Sequence, residues 1–337
     1  MLENFRPFMT SKHNKSHLQD GRRCKAFMIA CILATSSASQ GDTDNDFKKC
    51  NSNCKTAVCT NNSLSKFGSG FPYWSCGDDC AYECMHNITA ERFRRGQGPL
   101  KYYGHWPFLR IFGLEEPASV IFSLLNAVPY FISLLKAGFP SPDRIQSHYM
   151  QFWLFFYYLI SIETWFASAF FHSRKTELAS LIDYASALLF LGYSLWLAIR
   201  RIWGPQANKN YVAVAFTFLL SLYSYQVIQM CGGFVSFGDH MKVSITIAIL
   251  NVVTWLSWLL FSSEKIEASG NYRYLCLVCQ LWFSLAALLE LFDFSAIYGL
   301  FDAHSLWHAA TVPLGFLWAY FWEVDRDTNA LKSKHHL

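Results

Sequence analysis

Beyond residue 117 the chain alternates long apolar runs with short polar breaks. Seven runs fall at roughly 118–136, 149–171, 180–199, 211–230, 243–262, 274–292 and 303–322. Most are close to the ~20 residues that a helix needs to cross a bilayer. Their apolar positions are continuous rather than alternating, which predicts helices and not the strands of a barrel. The breaks collect the charges, glycines and prolines: KAGFPSPDR, SRKTELA, RRIWGPQANK, GGFVSFGDHMK, SSEKIEASGNYR and DFSAIYGLFD. Trp and Tyr recur near the run ends, as an interfacial belt requires. The pattern predicts an all-α membrane protein, a seven-transmembrane helix bundle over residues 118–323.

The N-terminal third is patterned differently. Arg22, Arg23 and Lys25 precede the apolar stretch AFMIACILA, and small residues follow in TSSAS. This layout reads as a signal peptide over residues 1–39 with a cleavage site near Ser39, an uncleaved anchor being the alternative. Of eleven cysteines, six lie just behind it: Cys50, Cys54, Cys59, Cys76, Cys80 and Cys84. An even cluster after a signal reads as a disulfide framework, and six cysteines allow 15 pairings. A zinc module is the rival, but the spacings C-x3-C-x4-C and C-x3-C-x3-C are unlike the C-x2-C of zinc ribbons. A small cysteine-rich domain over 40–117 is therefore expected, braced by three disulfides. Asn61 and Asn87 open glycosylation sequons, which fit a secretory lumen. The CLVC at 276–279 sits inside an apolar run and reads as packing.

A lumenal N-terminus fixes the remaining topology by parity, ending in a cytosolic tail at 324–337. Basic residues check this independently. The expected cytosolic segments hold Lys136, Arg144, Arg200, Arg201, Lys209, Lys265, Arg273, Arg326, Lys332 and Lys334. The lumenal loops between helices hold only Arg174, Lys175 and Lys242. That asymmetry obeys the positive-inside rule. Composition agrees, since only 15% of the 337 residues are charged, against about 25% in soluble domains. The net charge of +4 is scattered, so no nucleic-acid partner is expected.

Topology brings certain polar residues to one membrane face. His172 ends the second run, Asp183 opens the third, and His304 opens the seventh. Ser168 lies one turn below His172, and His308 one turn below His304, because residues four apart share a helix face. Ionisable groups at such depths are functional candidates. Three imidazoles with an open fourth position are the ligand set of a catalytic zinc, which lowers the pKa of bound water from 15.7 to about 7. In that reading His172, His304 and His308 hold Zn2+, Asp183 takes a proton from the water, and Ser168 donates a hydrogen bond to the oxyanion or the water. A serine nucleophile is disfavoured, because FASAF is not a G-x-S-x-G elbow. Asp302 either orients an imidazole or caps the last helix. Glu163, Glu290 and Asp293 read as structural hydrogen-bonding groups.

Ser-x3-His, an Asp eleven residues on, and a final His-x3-His resemble the CREST superfamily of membrane hydrolases. Within it, WSCGDDCAYECM at 74–85, HWPF at 105–108, EPAS at 116–119, FHSRKT at 171–176 and DAHSLWH at 302–308 resemble the GPI-remodelling phospholipases. The long basic lead before Cys50 departs from that pattern. The resemblance implies hydrolysis of the sn-2 acyl ester of GPI phosphatidylinositol, with GPI-anchored proteins as substrates, in the Golgi or endoplasmic reticulum membrane. A hydrolase for another lipid, such as a ceramide-like amide, or a non-catalytic lipid receptor on the same fold is the alternative.

Overall fold

The computed structural model describes residues 39–59, 74–138, 150–204, 207–233, 237–261 and 272–335, with backbone alone for 237 and 329–335. The signal-peptide expectation (but for Ser39) and the Asn61 sequon lie outside the described residues. Among the described residues there is no strand, only isolated bridges. The helices are α1 Gln40–Thr43, α2 Asn45–Val58, α3 Cys76–Arg94, α4 Pro117–Ala137, α5 Gln151–Ser173, α6 Glu177–Trp203, α7 Lys209–Cys231, α8 Phe237–Phe261, α9 Tyr272–Phe292 and α10 Ala303–His335.

Among the described residues six helices, α4 to α9, are long and apolar enough to cross a membrane. At 1.5 Å per residue, their 21 to 27 residues reach across a hydrocarbon core of about 30 Å. The seventh expected run is the first part of α10. Two histidines in its first turns and Pro313 thin its apolar content. Helix α10 also continues through 324–335, into the segment expected to form the tail.

The bundle closes as a ring in which α4 packs on α5, α5 on α6, α6 on α8, α8 on α9, α9 on α10, and α10 on α4. Helix α7 packs on α6 and buries none of its residues. Close approach of α4 and α10 depends on Gly315, where a Cβ would fall 2.9 Å from Pro129 Cγ. One end of the ring is an aromatic core of Trp255, Trp258, Tyr272, Phe321 and Trp322. Beside it Arg201 donates from Nε to both carboxylate oxygens of Asp325, at 2.9 and 2.8 Å. Arg201 counted as a loop cation in the sequence, yet it is 3% exposed. It ties α6 to α10. The CLVC thiols Cys276 and Cys279 are buried and free.

The other end carries a cap built on α2 and α3. Their disulfides are Cys50–Cys84, Cys54–Cys80 and Cys59–Cys76. The pairs are nested, so α2 and α3 run antiparallel, with each cysteine about one turn from the next. Phe47, Cys84 and Tyr102 form the small core beneath. Asn87 is exposed on α3. Contacts within the cap and from it to the bundle hold it in place. Arg110 stacks on Trp74 at 3.5 Å and pairs with Asp79 at 3.0 Å. Leu109 N–H donates to Gly299 O at 2.8 Å. Asp293 accepts from Trp106 Nε1 at 3.1 Å and from Lys101 Nζ at 2.5 Å. The chain then reaches α4 with Glu115 and Glu116 N–H groups donating to the Ser173 and His172 carbonyls, both at 3.0 Å.

Candidate metal centre

Three helix ends place the histidines. His172 lies in the last turn of α5, and His304 and His308 in the first turns of α10. A four-residue step along α10 turns both of its imidazoles toward α5. The start of α10 is fixed by Asp302, whose Oδ1 accepts from Ser305 N–H at 2.8 Å while Ser305 Oγ accepts from Asp302 N–H at 2.9 Å. That reciprocal cap decides between the two roles open to Asp302, because the imidazoles find other acceptors.

Those acceptors are carboxylates. His172 Nδ1 donates to Glu116 Oε2 at 2.5 Å, and His304 Nδ1 donates to Glu290 Oε2 at 2.6 Å. With the proton held on Nδ1, each Nε2 presents a lone pair. The three Nε2 atoms converge, 3.3 Å between His172 and His304, 3.2 Å between His172 and His308, and 3.0 Å between His304 and His308. Lone pairs at this range repel unless a cation sits among them. Tetrahedral zinc, with Zn–N bonds of about 2.0–2.1 Å, sets its nitrogens about 3.3–3.4 Å apart. The residues present fit such an ion. His172 and His308 are each 2% exposed, whereas His304 is half-buried, so access is from its side.

Glu116 is the residue that sequence reading passed over. It precedes α4 and was quoted only within EPAS. Burial favours its neutral form, but Lys175 first and the His172 hydrogen bond next outweigh it and hold Glu116 well below the ordinary carboxylate range. Lys175 Nζ pairs with its second oxygen. Glu290, read from sequence as structural, orients His304 instead. A polar stripe on α4, Ser119, Ser123 and Asn126, is also buried. Asn126 Nδ2 donates to His308 O at 2.8 Å. Ser123 Oγ lies 3.1 Å from Ser168 Oγ and makes a long contact of 3.5 Å with His308 Nδ1. The spacing i, i+4, i+7 in an apolar run was the available signal.

Ser168 therefore reaches the histidines through Ser123. Asp183 is half-buried on α6 and makes no hydrogen bond among the described residues. Its carboxylate feels His304 and Lys175 electrostatically, with Glu163 as the like-charged neighbour. Glu163 accepts from Ser186 Oγ at 2.7 Å, as a structural group does. A groove of about 410 Å³ runs between α5, α6 and α7, with Leu159, Glu163, Ile182, Ser186, Leu189 and Tyr223 among its walls, Ile182 preceding Asp183 on α6.

The pattern of the Per1-like family matches residues 69–326. The chain is 33% identical over 306 residues to "Post-GPI attachment to proteins factor 3" of Drosophila melanogaster, covering 87% of this chain and 89% of that protein. It is 30% identical over 306 residues to "GPI-specific phospholipase A2-like PGAP3" of Xenopus tropicalis, covering 89% and 94%. The human protein of that name is 29% identical over 314 residues, covering 90% and 95%. No solved structure matches. With the family pattern matched from the cap through most of α10, the chain belongs to the Per1-like family.

Proposed function

We propose that this protein is a zinc-dependent lipid hydrolase of GPI-anchor remodelling, which cleaves the sn-2 acyl ester of GPI phosphatidylinositol. The observation that carries the chemistry is the convergence of three Nε2 lone pairs, two of them aimed by carboxylates. The names of its relatives supply the lipid. His172, His304 and His308 would hold the zinc, which would supply Lewis acidity and bring the pKa of a bound water toward 7.

The remaining steps belong to the chain's own side chains. Glu116 and Glu290 keep Nδ1 protonated and so keep Nε2 available. Asp183, with no hydrogen bond among the described residues to satisfy it, takes the proton from the attacking water. It returns that proton to the sn-2 glycerol oxygen as the acyl C–O bond breaks, so that a free fatty acid and a lyso-lipid leave. His308 Nδ1–H faces Ser123, Ser123 donates to Ser168, and Ser168 is left to donate to the ester carbonyl oxygen. An acyl chain lies along the groove between α5, α6 and α7. In this reading residues 1–39 are a signal peptide, 40–117 form a lumenal cap, α10 is the seventh span, and 324–337 face the cytosol. The site then lies in the lumenal leaflet of the Golgi or endoplasmic reticulum membrane, at the depth of an ester beside its headgroup.

Purified full chain, incubated with phosphatidylinositol bearing distinguishable sn-1 and sn-2 acids, is expected to release the sn-2 acid. Chelation should abolish release and added Zn2+ restore it. Undiminished release from a metal-free variant lacking all three histidines would refute the reading.

A further inference from the structure

One polar group at the mouth of the site has no role in the steps above. Tyr102 and His105 close a two-residue turn, with Tyr102 N–H donating to His105 O at 2.8 Å and His105 N–H to Tyr102 O at 2.9 Å. The intervening Tyr103 and Gly104 have φ of 51° and 84°, the left-handed pair that such turns need. The turn is pinned from the start of the cap. Tyr103 N–H donates to Asp42 Oδ1 at 2.6 Å, and Gly104 N–H to Ser39 Oγ at 3.3 Å. Tyr102 is buried in the cap core at 2% exposure. His105 is thus presented by a fixed support.

The imidazole makes no hydrogen bond among the described residues. Its ring centre is 6.4 Å from that of Phe171, whose own centre is 5.1 Å from the His172 ring. Lys175 Nζ stands 5.5 Å from the same Phe171 ring. Lys175 gives one donor to Glu116, and an ammonium has three. Lys175 is ion-paired with Glu116 through one of these donors, while Arg110 is paired with Asp79, Arg174 with Asp78 and Lys101 with Asp293. His105 and the spare donors of Lys175 therefore form a small donor cluster just outside the histidine triad.

We infer that His105, with Lys175 beside it, binds the phosphate of the lipid headgroup. The inference rests on the proposed substrate and extends it to the cap. In a glycerophospholipid only two glycerol carbons separate the sn-2 ester oxygen from the oxygen bearing the phosphate. With the ester at the triad and the acyl chain in the groove, the phosphate falls just beyond the triad on the cap side. N–H donors to an anion make the stronger, charge-assisted kind of hydrogen bond. Burial, and then Lys175, hold the His105 pKa well below its usual value. The free site therefore carries a neutral N–H donor there and not a second cation beside Lys175.

Binding separates this inference from hydrolysis. Detergent-purified full chain is titrated calorimetrically with dihexanoyl phosphatidylinositol and with dihexanoylglycerol, which lacks the phosphate. The wild type should prefer the phosphatidylinositol, His105→Ala should reduce that preference about tenfold, and His105→Lys should keep it. Zinc content should be the same in all three. No preference in the wild type, an unchanged preference in His105→Ala, or equal loss in both variants would overturn the assignment. A His105-dependent preference in a chain that releases no fatty acid would leave this inference standing and defeat the hydrolase reading instead.

Discussion

Glu116 and Asp183 are both carboxylates near the triad, and their surroundings assign them different tasks. Glu116 is 3% exposed, bonded to His172 and ion-paired with Lys175. Asp183 has no comparable partner among the described residues. Glu116→Gln should therefore act on the metal, with zinc affinity or activity falling about 10–100-fold, as read by competition with a chelator. Asp183→Asn should keep its zinc and lose about 10²–10⁴ in turnover, the range for general acid–base groups. Loss of zinc from Asp183→Asn at the same turnover per bound ion would reverse the two roles. The histidines were legible in sequence because topology alone puts 172, 304 and 308 at one face. Glu116 was not, because it belongs to the chain between cap and bundle, and neither helical period nor span position predicts where that segment docks. Ser123 and Asn126 were legible in principle, as a polar stripe on an apolar helix.

At the scale of elements, the cap shows what cysteine spacing holds and what it omits. The spacing pointed to a disulfide framework and left its 15 pairings open; the nested pairing follows once α2 and α3 are seen as antiparallel helices. Cys59 lies just past the end of α2. Replacing Cys50 and Cys84 together, which opens a link of 34 residues, should lower stability by roughly 2–5 kcal/mol, measured as a shift in denaturant midpoint. Because the segment leaving the cap carries Glu116, zinc affinity should fall with it. Full stability of the Cys50/Cys84 double variant would show that the staple is dispensable. The apolar runs located α4 to α9 to within a few residues at most ends. Helix α10 runs on through 324–335, beyond the apolar run that marked its first part. The runs missed the burial of Arg201, because a cation after an apolar run reads as interfacial until its partner, Asp325 on another helix, is seen.

At the scale of the whole molecule, the two ends of the bundle differ in kind. One is locked by an aromatic core and the Arg201–Asp325 pair. The other holds the triad beneath a disulfide-stapled cap. Such an arrangement suits a substrate that keeps its acyl chains in one leaflet and its headgroup beyond it. The proposed lipid follows the names of the relatives, and the proposed chemistry follows the geometry of the triad. The central claim is tested most directly by the sn-2 acyl composition of GPI anchors, measured by mass spectrometry in cells lacking this protein and re-expressing either the wild type or His308→Ala. The account predicts unsaturated sn-2 chains in deficient cells, the saturated form restored by the wild type, and no restoration by His308→Ala. Anchors already fully saturated at sn-2 in the deficient cells, with ceramide or another lipid accumulating in their place, would contradict it.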